Sequence, residues 1–360
     1  MAKIHRHPIT EASAWTARDL EGDTSWDLTL SEAQADELRA ACADAHASGL
    51  TLPQVTADDF PLPSCQPVFD AIRAGLRDGR GFALLHGFPV EGERQQDIEL
   101  MYWGFCTHLG RGVTQNSDGS LLHYVTEGRL RPGQGTRGVG DPGKVPMHVD
   151  LADCVTLLCV RQAADSPPSR LSSSTTLHNE LLERAPDQLE RLYDGFVWDR
   201  QNEHDPSETP TTGYRVPFFS VADRRVSCRY NRHWMVRALE RDGGDGFSPE
   251  DAALLDLVDD LTQQNCFEFE VRPGDVQFVN NYTVLHGRAP HTPAASEAET
   301  RLLLRLWFDM EGVRPLADES IVRYGIIRHG RLGWSADDVL AGLEGPVHVR
   351  RPSDQAPLAT

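Results

Sequence analysis

"VPMHVDLADC", residues 145–154, places a histidine and an aspartate two positions apart in a run that otherwise reads as β-strand. Residues i and i+2 of a strand point to one face, so His148 and Asp150 are presented together. Two polar groups turned the same way in an apolar stretch mean a metal site, an acid/base pair or a surface accident. With fourteen histidines and 54 acidic residues in 360, about two His-x-acid triplets arise by chance, and the chain has two. The second, His178-Asn-Glu180, opens what reads as a helix, where i and i+2 diverge. His178 is therefore expected to be structural or capping, and the first triplet survives.

At 360 residues and 40.0 kDa the chain can bury a full core as one large domain or two ordinary ones. The formal charge of −19 argues against nucleic acid or an anionic membrane as partner, because phosphates would be repelled. A basic pocket for a small anion remains open. Seven cysteines are scattered with no CxxC pair, which fits a reducing cytosol and not a disulfide framework. There is no signal-like apolar start and no 18-residue apolar stretch. The expectation is a soluble cytoplasmic protein.

Along the chain, "LSEAQADELRAACADAHASG" (30–49) reads as a helix with a Ser31/Gln34 capping box and Gly49 at its end. "PVFDAIRAGLRDG" (67–79) and "ERQQDIELMYWGFCTHLG" (93–110) read as two more, around a buried strand "GFALLHGFP" (81–89). From about residue 120 short strands follow: "LLHYVTE", "KVPMHVD", "CVTLLCVRQ", "RLSSSTTL", then "VPFFSV", "RRVSCRY", "CFEFEV", "DVQFVNN" and "RLLLRLWF". A helix capped by Ser248 and Pro249 interrupts them. The expected fold is α+β: a double-stranded β-helix (jelly roll) core with flanking α-helices. No linker cuts it, so residues 1–350 are read as one domain with the β-helix core at about 80–310, and 351–360 as a disordered tail. Two long loops, 128–144 and 199–213, are candidate lids.

A metal site needs a third ligand. His286 closes "GDVQFVNNYTVLHGR", in which Val276, Phe278 and Leu285 frame a strand pair. His86, inside a buried strand, reads as a satisfied core histidine. Two histidines and a carboxylate form the facial triad of non-haem Fe(II) oxygenases, although zinc takes the same set. A 2-oxo diacid beside iron needs a permanently charged fork for its distal carboxylate. "ETRLLLRLWFD" supplies Arg301 and Arg305 four apart in an apolar strand. At that spacing they share a face.

The ordered set "HVD", "NNYTVLHGR" and "RLLLRLW" resembles the Fe(II)/2-oxoglutarate dioxygenases related to taurine dioxygenase and clavaminate synthase, with likeness reaching over about residues 80–310. That resemblance implies His148, Asp150 and His286 as iron ligands and Arg301 as the clamp on 2-oxoglutarate. It implies a Ser or Thr hydroxyl near Ser169. The usual Gly-Gly before that hydroxyl is replaced by Pro167-Pro168, so Ser172 and Ser173 stay open. An aspartate at 150 speaks against the halogenase variant.

Arg305 matches a position that meets the substrate carboxylate in amino-acid hydroxylases of the clavaminate-synthase type. The alternative is an internal pair with Asp309 or Glu311. Gln115 and Asn116 are candidates for neutral contacts to substrate, and Glu203 or Asp205 for an ammonium or guanidinium group. The implied cofactors are Fe(II), 2-oxoglutarate and O₂. The implied reaction is oxidation, most often hydroxylation, of an unactivated C–H bond in a small carboxylate-bearing molecule, such as an amino acid or a derived metabolite. A zinc-dependent hydrolase and a non-catalytic jelly-roll binding protein are the alternatives.

Overall fold

The computed structural model describes residues 4–116, 119–126, 143–202, 209–244, 246–292, 299–317 and 336–337. Strand β1 (Asp27–Thr29) leads to helix α1 (Glu32–Ala47), whose Ser31/Gln34 capping box is formed as expected. Helix α2 (Gln66–Arg77), strand β2 (Phe82–His86) and helix α3 (Gln95–Thr107) follow. Then come β3 (Arg111–Val113), β4 (Leu122–Thr126), β5 (Val145–His148), β6 (Cys154–Arg161) and β7 (Ser169–Ser173). Helices α4 (Ser174–Arg184) and α5 (Leu189–Asp194) precede a hairpin of β8 (Phe219–Ala222) and β9 (Arg225–Cys228). Helices α6 (Arg232–Arg241) and α7 (Pro249–Gln264) lead into β10 (Phe267–Phe269), β11 (Val276–Asn280), β12 (Val284–Arg288) and β13 (Leu302–Asp309).

These strands make two facing sheets. One has the order β1-β2-β11-β6-β13-β3, with β4 also on β13, and the other the order β10-β7-β12-β5. The runs β5-β6-β7 and β10-β11-β12-β13 alternate between the sheets, which is how a double-stranded β-helix winds. On the outer face of the larger sheet, Val276, Phe278, Leu158, Leu304 and Leu306 bury against α1–α3. Helices α4 and α7 lie against the smaller sheet. The inner faces meet at Ser169, whose hydroxyl donates to Gln277 across the two sheets.

Two expectations are corrected. "RLSSSTTL" is strand only to Ser173, because the Ser173 side chain accepts from the Thr176 N–H at 2.9 Å and starts α4 there. The segment from 275 to 288 does hold two strands, but they pair with other strands in opposite sheets and not with each other. His178, expected to be structural or capping, is structural: it lies inside α4 with Nε2 3.0 Å from the Tyr193 hydroxyl. The first candidate lid falls largely outside the described residues, as do residues 203–208 of the second and the whole 351–360 tail. No helix among those described is long and apolar enough to cross a membrane.

Candidate metal centre

His148 is the last residue of β5, and His286 sits opposite it in the β12–β5 register, so both imidazoles turn to the inner face. Their ring centroids are 4.5 Å apart. Asp150 follows two residues on, and its carboxylate lies 3.8 Å from Nε2 of His148 and 3.6 Å from Nε2 of His286. One ligand atom from each of the three lies within 4.8 Å of the others, a spacing that one ion can bridge. The expected triplet is thus assembled from two strands and one turn.

The protonation states suit a metal. Nδ1 of His148 is 2.9 Å from the Pro146 carbonyl, which can only accept, so Nδ1 carries the proton and Nε2 keeps its lone pair. Burial pushes the His148 imidazole down to about 4, and the adjacent His286 adds to this, so it is neutral at pH 7. Burial alone would raise the Asp150 carboxyl. Arg305 and the two histidines overcome it and hold the group well below the usual carboxylate range. Two imidazoles and one carboxylate fit a ferrous ion.

Asp150 is held from two sides. Its backbone N–H donates to Oδ1 of Asn281 at 3.1 Å, while Asn281 donates to the Ala152 carbonyl at 3.0 Å. From β13, Trp307 Nε1 donates to Asp150 Oδ2 at 3.0 Å, and Nη1 of Arg305 stands 3.7 Å from the same oxygen. Neither Asn281 nor Trp307 was singled out in the sequence. The available signal was the Arg-x-Trp alternation, which puts Trp307 on the face of Arg305. His123, fully buried and opposite Arg305 in the β4–β13 register, was also passed over.

Arg305 donates from Nε to Gln115 Oε1 at 2.7 Å, and Gln115 Nε2 returns to the Arg305 carbonyl at 2.8 Å. Gln115 therefore orients Arg305. Asn116 Oδ1 accepts from the Ser120 N–H, and its buried Nδ2 has no partner among the described residues. Arg301 is 8 % exposed and lies just before β13. The β13–β6 register shifts between Leu302 and Leu303, so strand alternation does not by itself put Arg301 and Arg305 on one face.

Ser169 shares the inner face of β7 with Leu171, which lies opposite His286. Ser172 faces outward, and Ser173 is spent on the helix cap and the Ser13 carbonyl. Glu203 and Asp205 lie outside the described residues. His86 is satisfied as expected, between Asp27 and Asp275, though partly exposed. A second trio, Cys42, His46 and Asp97, also clusters, between α1 and α3. There Arg94 forks the Asp97 carboxylate and burial pushes the Cys42 thiol up to about 11, so that trio is poorly set to ligate.

Residues 47–307 match the profile of the family described as taurine catabolism dioxygenase TauD, TfdA. FR-33289 synthase of Streptomyces rubellomurinus is 28 % identical over 322 residues, covering 87 % of this chain and 94 % of that protein. Among solved structures, an asparagine oxygenase in complex with Fe(II), 3-hydroxyasparagine and succinate aligns with a TM-score of 0.60 at 16 % identity. That alignment covers 79 % of this chain and 93 % of the other. The non-heme iron oxygenase OrfP, in complex with Fe and α-ketoglutaric acid, aligns with a TM-score of 0.56 at 16 % identity, over 79 % and 93 %.

Proposed function

The chain belongs to the taurine catabolism dioxygenase (TauD, TfdA) family, and on that premise we propose that it hydroxylates an unactivated C–H bond of a small carboxylate-bearing molecule, an amino acid or a metabolite derived from one. Membership makes it an Fe(II)- and 2-oxoglutarate-dependent dioxygenase, which sets aside the hydrolase and binding-protein alternatives. Bound iron and 2-oxoglutarate supply O₂ activation coupled to decarboxylation to succinate and CO₂. His148, Asp150 and His286 would hold the metal. Arg301 clamps the distal carboxylate of 2-oxoglutarate, helped by the Ser169 hydroxyl once it turns from Gln277. Arg301 is largely buried, so such a charge-assisted pair would be sheltered from competing water.

The observation that carries the substrate class is the Arg305 guanidinium, oriented by Gln115 and standing 3.7 Å from the Asp150 carboxylate. It sets a fixed positive charge beside the metal, where an anionic group of the substrate is drawn in. An amino acid fits this, as in the asparagine oxygenase complex. Asn116 and the 199–213 loop, with Glu203, are assigned to the remainder of the substrate. The test is a screen of amino acids, amines, sulfonates and aryl-oxy acids for succinate formation coupled to product. Carboxylate-bearing substrates should turn over, and Arg305→Met should raise their KM strongly. Coupled turnover confined to substrates without a carboxylate, and unchanged in Arg305→Met, would remove this substrate class.

A further inference from the structure

Trp307 is only 2 % exposed and touches both halves of the centre. Its indole N–H donates to Asp150 Oδ2 at 3.0 Å, and the Arg305 guanidinium carbon lies 5.2 Å from its ring centroid. Buried indoles need an acceptor, and this one has an ionised carboxylate for which the charged Arg305 also competes. Nη1 of Arg305 already pairs with that same oxygen at 3.7 Å, close enough that a small swing would give a direct charge-assisted hydrogen bond. An arginine fork gripping both oxygens would take the carboxylate away from a metal. The Asn281 bond to the Asp150 N–H fixes the backbone but leaves the side-chain torsion free. Only a contact to the carboxylate itself can set that torsion.

We propose that Trp307 is a positioning residue for the metal centre: its N–H fixes the orientation of the Asp150 carboxylate toward the metal, and its ring braces Arg305 beside it. The proposal rests on His148, Asp150 and His286 being the metal ligands. Trp307→Phe keeps an aromatic ring for Arg305 and deletes the N–H. In a titration with Co(II) followed by its visible absorption, this variant should bind roughly ten- to a hundredfold more weakly than the parent, the usual cost of losing a partner of a ligand. Its absorption bands should also shift. Trp307→Phe combined with Arg305→Met should regain much of the affinity, because the competitor for the carboxylate is gone. A merely structural role would not be rescued by removing that arginine.

Trp307→Phe binding Co(II) as the parent does, with unchanged bands, overturns the proposal and leaves the ligand assignment intact. A parent whose Co(II) binding survives His148→Ala overturns both. Should Trp307→Phe not fold, the parent labelled with 5-fluorotryptophan decides by ¹⁹F NMR. Zn(II) should shift at least one indole resonance, and the shift should vanish in His148→Ala. No shift on adding Zn(II) overturns the proposal.

Discussion

At the scale of single residues, His148, His286 and His178 are three buried or half-buried imidazoles with different work. Replacing His148, Asp150 or His286 with Ala should abolish iron-dependent 2-oxoglutarate turnover in a protein that still folds, whereas His178→Gln should keep its iron. Iron retained by His148→Ala and lost by His178→Gln would show the wrong triplet had been chosen. His178 instead carries a pH signature. Burial pushes it down to about 4, and the neighbouring His5 adds to this. The unfolded chain binds that proton near pH 6.5 and the folded chain near 4, so stability from this residue is complete above 6.5 and lost as pH falls toward 4. At pH 5 the loss is about 2 kcal/mol. Urea midpoints at pH 7 and 5 should therefore fall less steeply for His178→Gln than for the parent; equal slopes would refute the account. Arg301→Ala should raise the 2-oxoglutarate requirement by an amount equivalent to 3–5 kcal/mol on the order-of-magnitude scale for an unpaired buried charge. Ser169→Ala should cost about 1 kcal/mol. Half-saturation concentrations for 2-oxoglutarate measure both, and a larger effect at Ser173 would reassign the hydroxyl.

At the scale of elements, the corner between β11 and β12 is where the fold makes the site. Asn281 in this corner holds the turn that follows β5, while His286 leaves it on β12. Gly81, at φ +80°, packs so closely under the corner that an added Cβ would run into the Thr283 hydroxyl and lie 2.9 Å from Val284 Cγ2. Gly92 has a similar φ of +76° with nothing within 4 Å. Gly92→Ala should cost about 1 kcal/mol for the left-handed backbone alone. Gly81→Ala should cost about 2 kcal/mol more, and it should weaken metal binding by moving the corner. Equal unfolding free energies for the two variants would sink this.

The corner also shows why sequence reading went only so far. The caps of α1 and α7 and the apolar runs of β2, β6 and β13 are local signals, and each could be read from neighbouring residues. Three residues, 281–283, between β11 and β12 look like a hairpin loop. The sheet switch depends instead on Tyr282 donating to Asp153 at 2.6 Å and the Asn281 N–H to the Asp153 carbonyl at 3.0 Å, contacts about 130 positions away. Helix α6 escaped notice because only Met235 and Ala238 are buried, too few for a periodic signal. The three ligand side chains were legible because strand alternation and residue type both pointed to them. Trp307 was not, since an indole in "RLLLRLWF" reads as one more core residue.

At the scale of the whole molecule, the segments around Glu11 and Arg314, before and after the β-helix core, are clasped over the β8–β9 hairpin. Arg314, whose side chain is fully buried, pairs with Glu11 and donates to the Val226 carbonyl at 2.5 Å; Arg225 of β9 reaches the same Glu11 carboxylate at 3.1 Å. The hairpin continues to Tyr230, whose carbonyl accepts the Val149 N–H at 2.9 Å, between two of the metal-facing residues. The clasp thus backs the strand that carries the site, but from the far side of the smaller sheet. Burial works against ionised Glu11, and the two arginines more than offset it, so its carboxyl is held below the usual range. Glu11→Gln leaves Arg314 charged and buried without its counter-ion, a loss on the order of 3–5 kcal/mol. Replacing both, as Glu11→Gln with Arg314→Met, should recover more than half of that, because the stranded charge is removed with its partner. Since no clasp residue touches Asp150 or either histidine, the Co(II) affinity of folded Glu11→Gln should match the parent. Urea unfolding of the single and double variants, with Co(II) titration below the transition, separates the two claims. A single-variant loss under about 1 kcal/mol would mean that the N-terminal segment is held by packing of Ile9 and Trp15 in the core and that the ion pairs contribute little.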